Sequence, residues 1–259
     1  LHIIDQYAYS NRLRHIDPAH KTGLALAVLF LCLALNEPPV GLVAAGWMYL
    51  LAVRVAGLPA RVFGRVLAAQ LTFLILATVG VVISLTFTNP GSVAPWAWRV
   101  GPVWISATPD SLYQGGLLVS RALGAASAMN FLALTTPLID LVELFRRWRL
   151  PVILIDLMTI IYRFIFVLLE SLTRMSMAQE SRLGYNTSYF RAMNNAALLG
   201  SRLFIDAFHR SQRLQTALES RGYDGGDLQV LPAHYRSQRN LWWISAAVTL
   251  SLIGVWLIG

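Results

Sequence analysis

Lysine is nearly missing from this chain. Lys21 is the only one, and no glycine-rich loop precedes it. Without a G-x-x-x-x-G-K-[ST] stretch there is no P-loop to cradle nucleotide phosphates, so any ATP is hydrolysed elsewhere. Cysteine is also down to a single residue, Cys32, inside an apolar run. That excludes an intrachain disulfide and a cysteine-based metal site, and Cys32 reads as an ordinary small apolar helix residue. Charge is scarce: 13% of residues are charged, against about 25% in soluble domains. The histidines, His2, His15, His20, His209 and His234, are scattered. His15 and His20 flank Asp17, but their spacing is too loose for a helical i,i+4 metal pair. No Ser-His-Asp set or paired carboxylates stand out, so the chain does not read as an enzyme by itself.

What fills the chain instead is apolar. It is 56% hydrophobic with a mean hydropathy of +0.56, which points to a polytopic membrane protein. Five stretches could span: 22–36, 38–56, 66–88, 113–135 and 240–259. Spanning takes about 20 apolar residues, so the first is marginal. It is better read as one arm of a hairpin with the second, turning at Asn36-Glu37-Pro38-Pro39. Asp17-Pro18 upstream reads as an N-cap followed by proline at the first helical position. Residues 1–22 are polar and lack a signal-peptide pattern, so the first apolar run is expected to stay as an anchor.

The net charge of +8 is nearly all arginine, and its placement argues for a membrane surface rather than nucleic acid. Arg12, Arg14 and Lys21 precede the first run; the 36–40 turn has no Lys or Arg; the 54–65 loop has Arg54, Arg61 and Arg65; the 89–112 loop has Arg99 alone; residues 137–239 hold thirteen arginines. Alternating rich and poor loops fit the positive-inside rule. The N-terminus and residues 137–238 are expected in the cytoplasm, with the C-terminus outside a bacterial inner membrane. Within 89–112, WAWRVGPVWIS reads as a short interfacial hairpin about a Gly-Pro turn. Its tryptophans form an aromatic belt, with Trp242 and Trp243 doing the same at the inner surface.

Residues 150–169 are apolar enough for a sixth span. That would place Asp156 and Arg163 near the bilayer centre, at about 2.5–3.5 kcal/mol each, and would put the arginine-rich 170–239 outside. The expected alternative is a long amphipathic helix at or beneath the inner leaflet. Asp156, Thr159, Arg163, Glu170 and Arg174 share one face, with Glu170 and Arg174 as an i,i+4 pair. Leu154, Met158, Ile161, Ile165, Leu168, Leu172 and Met175 share the opposite one. A shorter helix, 137–149, precedes it, and a second long helix spans about 187–221, with Phe190, Met193, Ala197, Phe204, Phe208, Leu214 and Leu218 as its stripe. The fold class is therefore all-α: a polytopic helical membrane protein with about five membrane-embedded helices and a cytoplasmic module of long amphipathic helices. Residues 1–136 form an N-terminal amphipathic segment plus membrane helices 1–4, 137–238 the cytoplasmic module and 239–259 the last membrane helix.

Both long helices end alike. Glu180-Ser181-Arg182 and Glu219-Ser220-Arg221 lie thirty-nine residues apart, and each is followed closely by glycine, Gly184 and Gly222, then tyrosine. The glycines read as left-handed helix stops. Arginine in a last turn offsets the macrodipole by about 0.3–1 kcal/mol. Alternatively, a rigidly held exposed arginine can enter an acidic groove on a partner and pair bidentately with a carboxylate. The residues alone leave capping and docking both open.

The order of these segments resembles the transmembrane T component of energy-coupling factor (ECF) transporters, of the cobalt-type CbiQ group. The resemblance rests on DQYAYSNRLRHIDPAHKT, on TTPLIDLVELFRRWRLP leading into IYRFIFVLLE, and on the two arginine motifs, and covers most of the chain. It implies an energy-coupling scaffold in an ATP-driven importer, with two ABC-type ATPase subunits docked on Glu180, Ser181 and Arg182 and on Glu219, Ser220, Arg221 and Gly222. ATP and magnesium would be held by those ATPases. A substrate-binding membrane subunit would rest on the platform Met158, Ile161, Ile165, Leu168, Leu172 and Met175, and would capture the cobalt ion; this chain would bind no cofactor itself. Leu183, where glycine is usual, departs from the family's first motif. The alternatives are a nickel- or vitamin-type T component, or, in a different class, a self-standing channel or carrier. The latter needs ionisable residues within the spans, and only Arg54 and Arg121 qualify.

Overall fold

The computed structural model describes residues 7–35, 37–82, 84–86, 96–100, 103–181, 188–223 and 239–258. In chain order these form α1 (Pro18–Ala34), α2 (Pro38–Leu50) running on into a π-helical turn (Leu51–Val55), and α3 (Ala60–Val82). Strands β1 (Ser84–Thr86), β2 (Trp96–Val100) and β3 (Val103–Ala107) follow, then α4 (Pro109–Thr135), α5 (Leu138–Arg147), α6 (Val152–Ser181), α7 (Tyr189–Glu219) and α8 (Arg239–Ile258). The chain divides into two compact units, residues 1–137 with 233–259, and residues 138–232.

The first unit is a helical bundle around α4, against which α1, α2 and α3 all pack. Local sequence explains its helix starts. Asp17 accepts a hydrogen bond from the Ala19 amide at 3.0 Å and Pro18 opens α1, as the Asp17-Pro18 pair predicts. Thr108 and Ser111 form a reciprocal cap on α4, with Pro109 at the first position. The bundle closes on small residues. A Cβ added to Gly124 would sit 2.9 Å from the Gly41 Cα and from the Cys32 sulfur, so α2 and α4 approach backbone to backbone. Val28, Val40, Met48, Phe63, Phe131 and Leu252 fill the core around that contact.

Several polar side chains tie the bundle helices together. The Gln70 and Asn130 amides donate to each other at 3.3 and 2.6 Å, joining α3 to α4. The Arg121 guanidinium donates to the Leu33 carbonyl at the end of α1, so this intrabundle arginine is a structural tie. Trp242 of α8 meets the His20 ring edge-on at 4.6 Å.

Gly124→Leu is accordingly expected to cost at least the ~1–3 kcal/mol typical of overpacking. Gly116→Leu, one helix position with open space around it, is expected to be near neutral. Thermal unfolding in detergent compares them; equal losses would refute the close-packing account.

Four helices are long and apolar enough to cross a membrane: Pro38–Val55, Ala60–Val82, Pro109–Thr135 and Val152–Ser181. Pro18–Ala34 and Trp242–Leu257 are shorter apolar helices. The chain is a multi-pass helical membrane protein. By length and composition α6 belongs to the first group, so the apolar run at 150–169 is long enough to span.

Two boundaries differ from the sequence expectation. The third apolar helix starts at Ala60 rather than 66, taking Arg61 and Arg65 into its first turns, and stops at Val82. Residues 84–86, within the run assigned to that helix, are a strand instead. The run ISLTFT is rich in β-branched and aromatic residues, which suits an extended backbone. The hairpin expected in WAWRVGPVWIS is present: β2 pairs antiparallel with β3, from Trp96↔Ala107 to Val100↔Val103, and β1 flanks β3. The Gly101-Pro102 turn, Asn36 of the first turn and the side chains of the hairpin tryptophans lie outside the described residues.

Candidate partner-docking site

In the second unit, α6 and α7 pack along a face carrying Ile160, Phe164, Val167 and Ser171. The Ser171 hydroxyl donates to the Asp206 carboxylate at 2.8 Å, and Arg210 donates to the same oxygen at 2.9 Å. Asp206 is thereby held below the usual carboxylate range, first by the Ser171 hydrogen bond and then by Arg210. A lowered folded value sets the sign of its pH dependence. The stabilisation is complete above the unfolded value of about 3.9 and is lost as pH falls through the lower folded one. Protease nicking of α7 is therefore expected to rise only on acidification below about pH 4, and Asp206→Asn should remove that step. An unchanged acid profile in the variant would exclude Asp206 as its source.

The helix faces differ partly from the sequence reading. Asp156 is buried, and Thr159 and Arg163 line a groove beside α7, so this polar face does not simply meet water. Glu170 and Arg174 do form the expected pair at 2.9 Å, both well exposed, worth about 0.3–0.5 kcal/mol. Among the platform residues, Ile161 and Ile165 are 48% and 37% exposed, and Met158, Leu168, Leu172 and Met175 are half-buried. At 100° per residue this face is turned about 100° from the one that α7 covers, and at its edge Met175 lines a cleft with Asn195, Leu198 and Arg202 of α7. On α7 the expected stripe is covered only in part. Leu214 and Leu218 are half-buried, whereas Phe190, Met193, Phe204 and Phe208 are exposed.

The two Glu-Ser-Arg motifs share a local pattern. Each serine donates back to its own helix, Ser181 to the Met177 carbonyl at 2.8 Å and Ser220 to the Ala217 carbonyl at 3.0 Å. Each glutamate accepts from the residue four before it, Glu180 from Ser176 at 3.4 Å and Glu219 from Gln215 at 2.9 Å. Helix-internal bonds thus engage Glu and Ser of both motifs, and in the second motif Arg221 is exposed. Arg182 and Gly184 lie outside the described residues.

At the second motif the cap is resolved atom by atom. Gly222 has φ +77°, the left-handed stop that its position predicts. The Tyr223 amide donates to the Leu218 carbonyl and the Gly222 amide to the Glu219 carbonyl, both at 3.0 Å. This is a Schellman closure. Arg221 is the last residue before the turn, so its backbone is fixed. Its side chain is exposed, and among the described residues it has no hydrogen-bond or ion-pair partner. Glycine, not arginine, closes the helix. A similar closure ends α5, where Arg149 holds the left-handed position at φ 59°.

Sequence reasoning missed one junction. Lys21 is fully buried, and its ammonium donates to the Leu13 and Thr135 carbonyls, both at 3.2 Å. Asn11 donates to the Thr135 carbonyl as well, at 3.2 Å. The N-terminal segment thus seals the C-terminal end of α4 with a cation, where the helix dipole favours one. A lone lysine in an arginine-rich chain was the available signal.

These features define a polytopic helical membrane protein that carries a module of long helices, one of which, α7, ends in an exposed glycine closure. The family model described as cobalt transport protein, CbiQ, matches residues 10–231. The chain belongs to that family. It is 33% identical over 230 residues to the cobalt transport protein CbiQ of Rhodobacter capsulatus, covering 88% of this chain and 86% of that one. An uncharacterized protein of Methanocaldococcus jannaschii is 35% identical over 224 residues, 86% of this chain and 81% of its own. The energy-coupling factor transporter transmembrane protein EcfT of Staphylococcus aureus is 26% identical over 270 residues, 97% of this chain and 92% of its own. The resemblance drawn from the sequence therefore stands: the chain is a transmembrane component of the ECF type.

Proposed function

We propose that this chain is the scaffold and energy-coupling subunit of an ATP-driven importer of cobalt. Two ABC-type ATPase subunits dock on the module 138–232 from the cytoplasm, through Arg182 and Arg221. A substrate-binding membrane subunit rests on the platform of α6 and carries the cobalt ion, which is cargo. The module and the N-terminus then face the cytoplasm of a bacterial cell, and the C-terminus faces outward across the inner membrane. This chain performs no catalysis; it passes ATP-driven motion from one set of partners to the other. Such coupling requires contacts that differ between two states, and stiff helices with fixed caps can convey them.

The observation that carries this reading is Arg221. A 31-residue helix ends in a glycine closure that fixes the arginine backbone and leaves its guanidinium outward. A guanidinium so held suits bidentate recognition of a carboxylate. The test is purification from the native host in mild detergent, with identification of accompanying proteins. Two copies of an ABC ATPase and a small membrane subunit are expected, together with cobalt uptake that depends on this chain. A chain that comes alone would overturn the assembly, and uptake of nickel or a vitamin in place of cobalt would overturn the cargo.

A further inference from the structure

A groove of about 570 Å³ runs between α6 and α7 and is unused by the coupling role. Its floor is apolar: Ile160, Phe164 and Val167 from α6, Leu214 and Leu218 from α7. Its cationic lining is Arg163, Arg210 and Arg213. Arg210 is committed to Asp206 at 2.9 Å. Arg213 uses only its Nε, on the His209 carbonyl at 3.3 Å, which leaves both terminal amino groups. Arg163 is exposed and has no partner among the described residues. Arg163 and Arg213 thus bring uncommitted guanidinium nitrogens to the lining of a groove whose other walls are mostly hydrocarbon, and Arg213 also borders the cleft beside Asp206.

We propose that this groove binds one anionic phospholipid, with its phosphate on Arg163 and Arg213 and part of an acyl chain along Phe164, Val167 and Leu218. The chemistry selects an amphiphile. A free anion would satisfy the arginines and leave the apolar floor wet. An acidic peptide strand would need partners for its own backbone, because buried unpaired amides are costly. The groove's one hydroxyl, Thr159, already donates to the Ile155 carbonyl at 2.9 Å. An anionic headgroup with a chain meets both surfaces, and basic pockets on the cytoplasmic side of membrane proteins suit such lipids. The volume falls in the usual range for small-molecule sites. The inference rests on placing residues 138–232 at the inner membrane surface.

The test is native mass spectrometry of the full chain with its copurified partners, titrated with phosphatidylglycerol, phosphatidylcholine and inorganic pyrophosphate. One tight phosphatidylglycerol adduct is expected. At the usual worth of an arginine near an anionic surface, Arg163→Gln/Arg213→Gln should weaken it roughly 30-fold, while Arg163→Lys/Arg213→Lys should retain most of it. The charge-matched control Arg174→Ala/Arg202→Ala should leave it unchanged. ATPase recovery should persist in the glutamine variant, which separates this site from docking through Arg221. Equal binding of phosphatidylcholine would overturn the proposal, as would indifference to the glutamine variant. Displacement by pyrophosphate alone would mark a free-anion site instead. Loss of the ATPase from the glutamine variant, with no lipid adduct in wild type, would assign the groove to the ATPase.

Discussion

Arg182→Ala/Arg221→Ala is expected to lose its ATPase subunits on purification while the membrane bundle stays folded. Truncating one partner of a buried, hydrogen-bonded charge pair costs about 2–5 kcal/mol, so each single variant should weaken its docking by a factor of about 30 or more. The double variant should abolish transport. The cap geometry makes the second site the sharper test. Arg221→Lys keeps the charge but not the planar fork, and is expected to restore little. Gly222→Ala leaves the arginine in place but puts a Cβ at φ +77°, a strain of about 1 kcal/mol. It should loosen the presentation of Arg221 and weaken docking less than Arg221→Ala does. Thermal unfolding of the isolated chain should barely move with Arg221→Ala, because the exposed side chain makes no hydrogen bond or ion pair with the described residues. Full ATPase recovery and full uptake in the double variant would reduce both arginines to helix-end charges, and the transporter reading would need other surfaces.

Such contrasts follow from which parts of the fold are written locally. Asp17-Pro18, the hairpin in WAWRVGPVWIS and Gly222 were legible because a cap, a strand pair or a left-handed stop needs only its own few residues. The end of α3 was not, because apolar residues continue through ISLTFT, and a hydropathy run does not mark where helix gives way to strand. The faces of α6 were legible as faces, but their partners were not. Helical periodicity places Arg163 with Asp156 and Glu170, yet only the position of α7 turns Thr159 and Arg163 into a groove and leaves Glu170 in water. The latch of Ser171 to Asp206 is thirty-five residues apart in sequence, and nothing local distinguishes Asp206 from the other charges on α7. The close approach of Gly41 and Gly124 likewise depends on two helices meeting, although the abundance of Gly, Ala and Ser in both was a hint.

Lys21 is where nonlocal structure and function meet most directly. Lys21→Ala removes the charge-assisted hydrogen bonds to the Leu13 and Thr135 carbonyls, each worth about 1.5–3 kcal/mol, and opens a void at a position with no solvent exposure. A loss on the order of 3–5 kcal/mol is expected, a large share of a typical domain's total. The Thr135 carbonyl would keep Asn11 as a donor and the Leu13 carbonyl the Ile16 amide at 3.1 Å, but both would lose the cation. The damage should concentrate at the seam between the N-terminal segment and the end of α4, so hydrogen exchange should quicken around residues 11–16 and 132–136 before it does in the α2–α4 contact. Lys21→Met separates packing from charge: it refills much of the volume, and if it restores exchange to wild-type levels, the cation is not what seals the helix end. Under the proposed coupling role the same seam has a further consequence. The chain passes from α4 into the docking module one residue after Thr136, through Pro137. A loosened α4 end would then let ATPase-driven motion dissipate in the bundle. Lys21→Met should keep its ATPases, since Arg182 and Arg221 are untouched, yet import less per ATP hydrolysed. Wild-type coupling with a frayed seam would detach the junction from transport and leave Lys21 a purely structural residue.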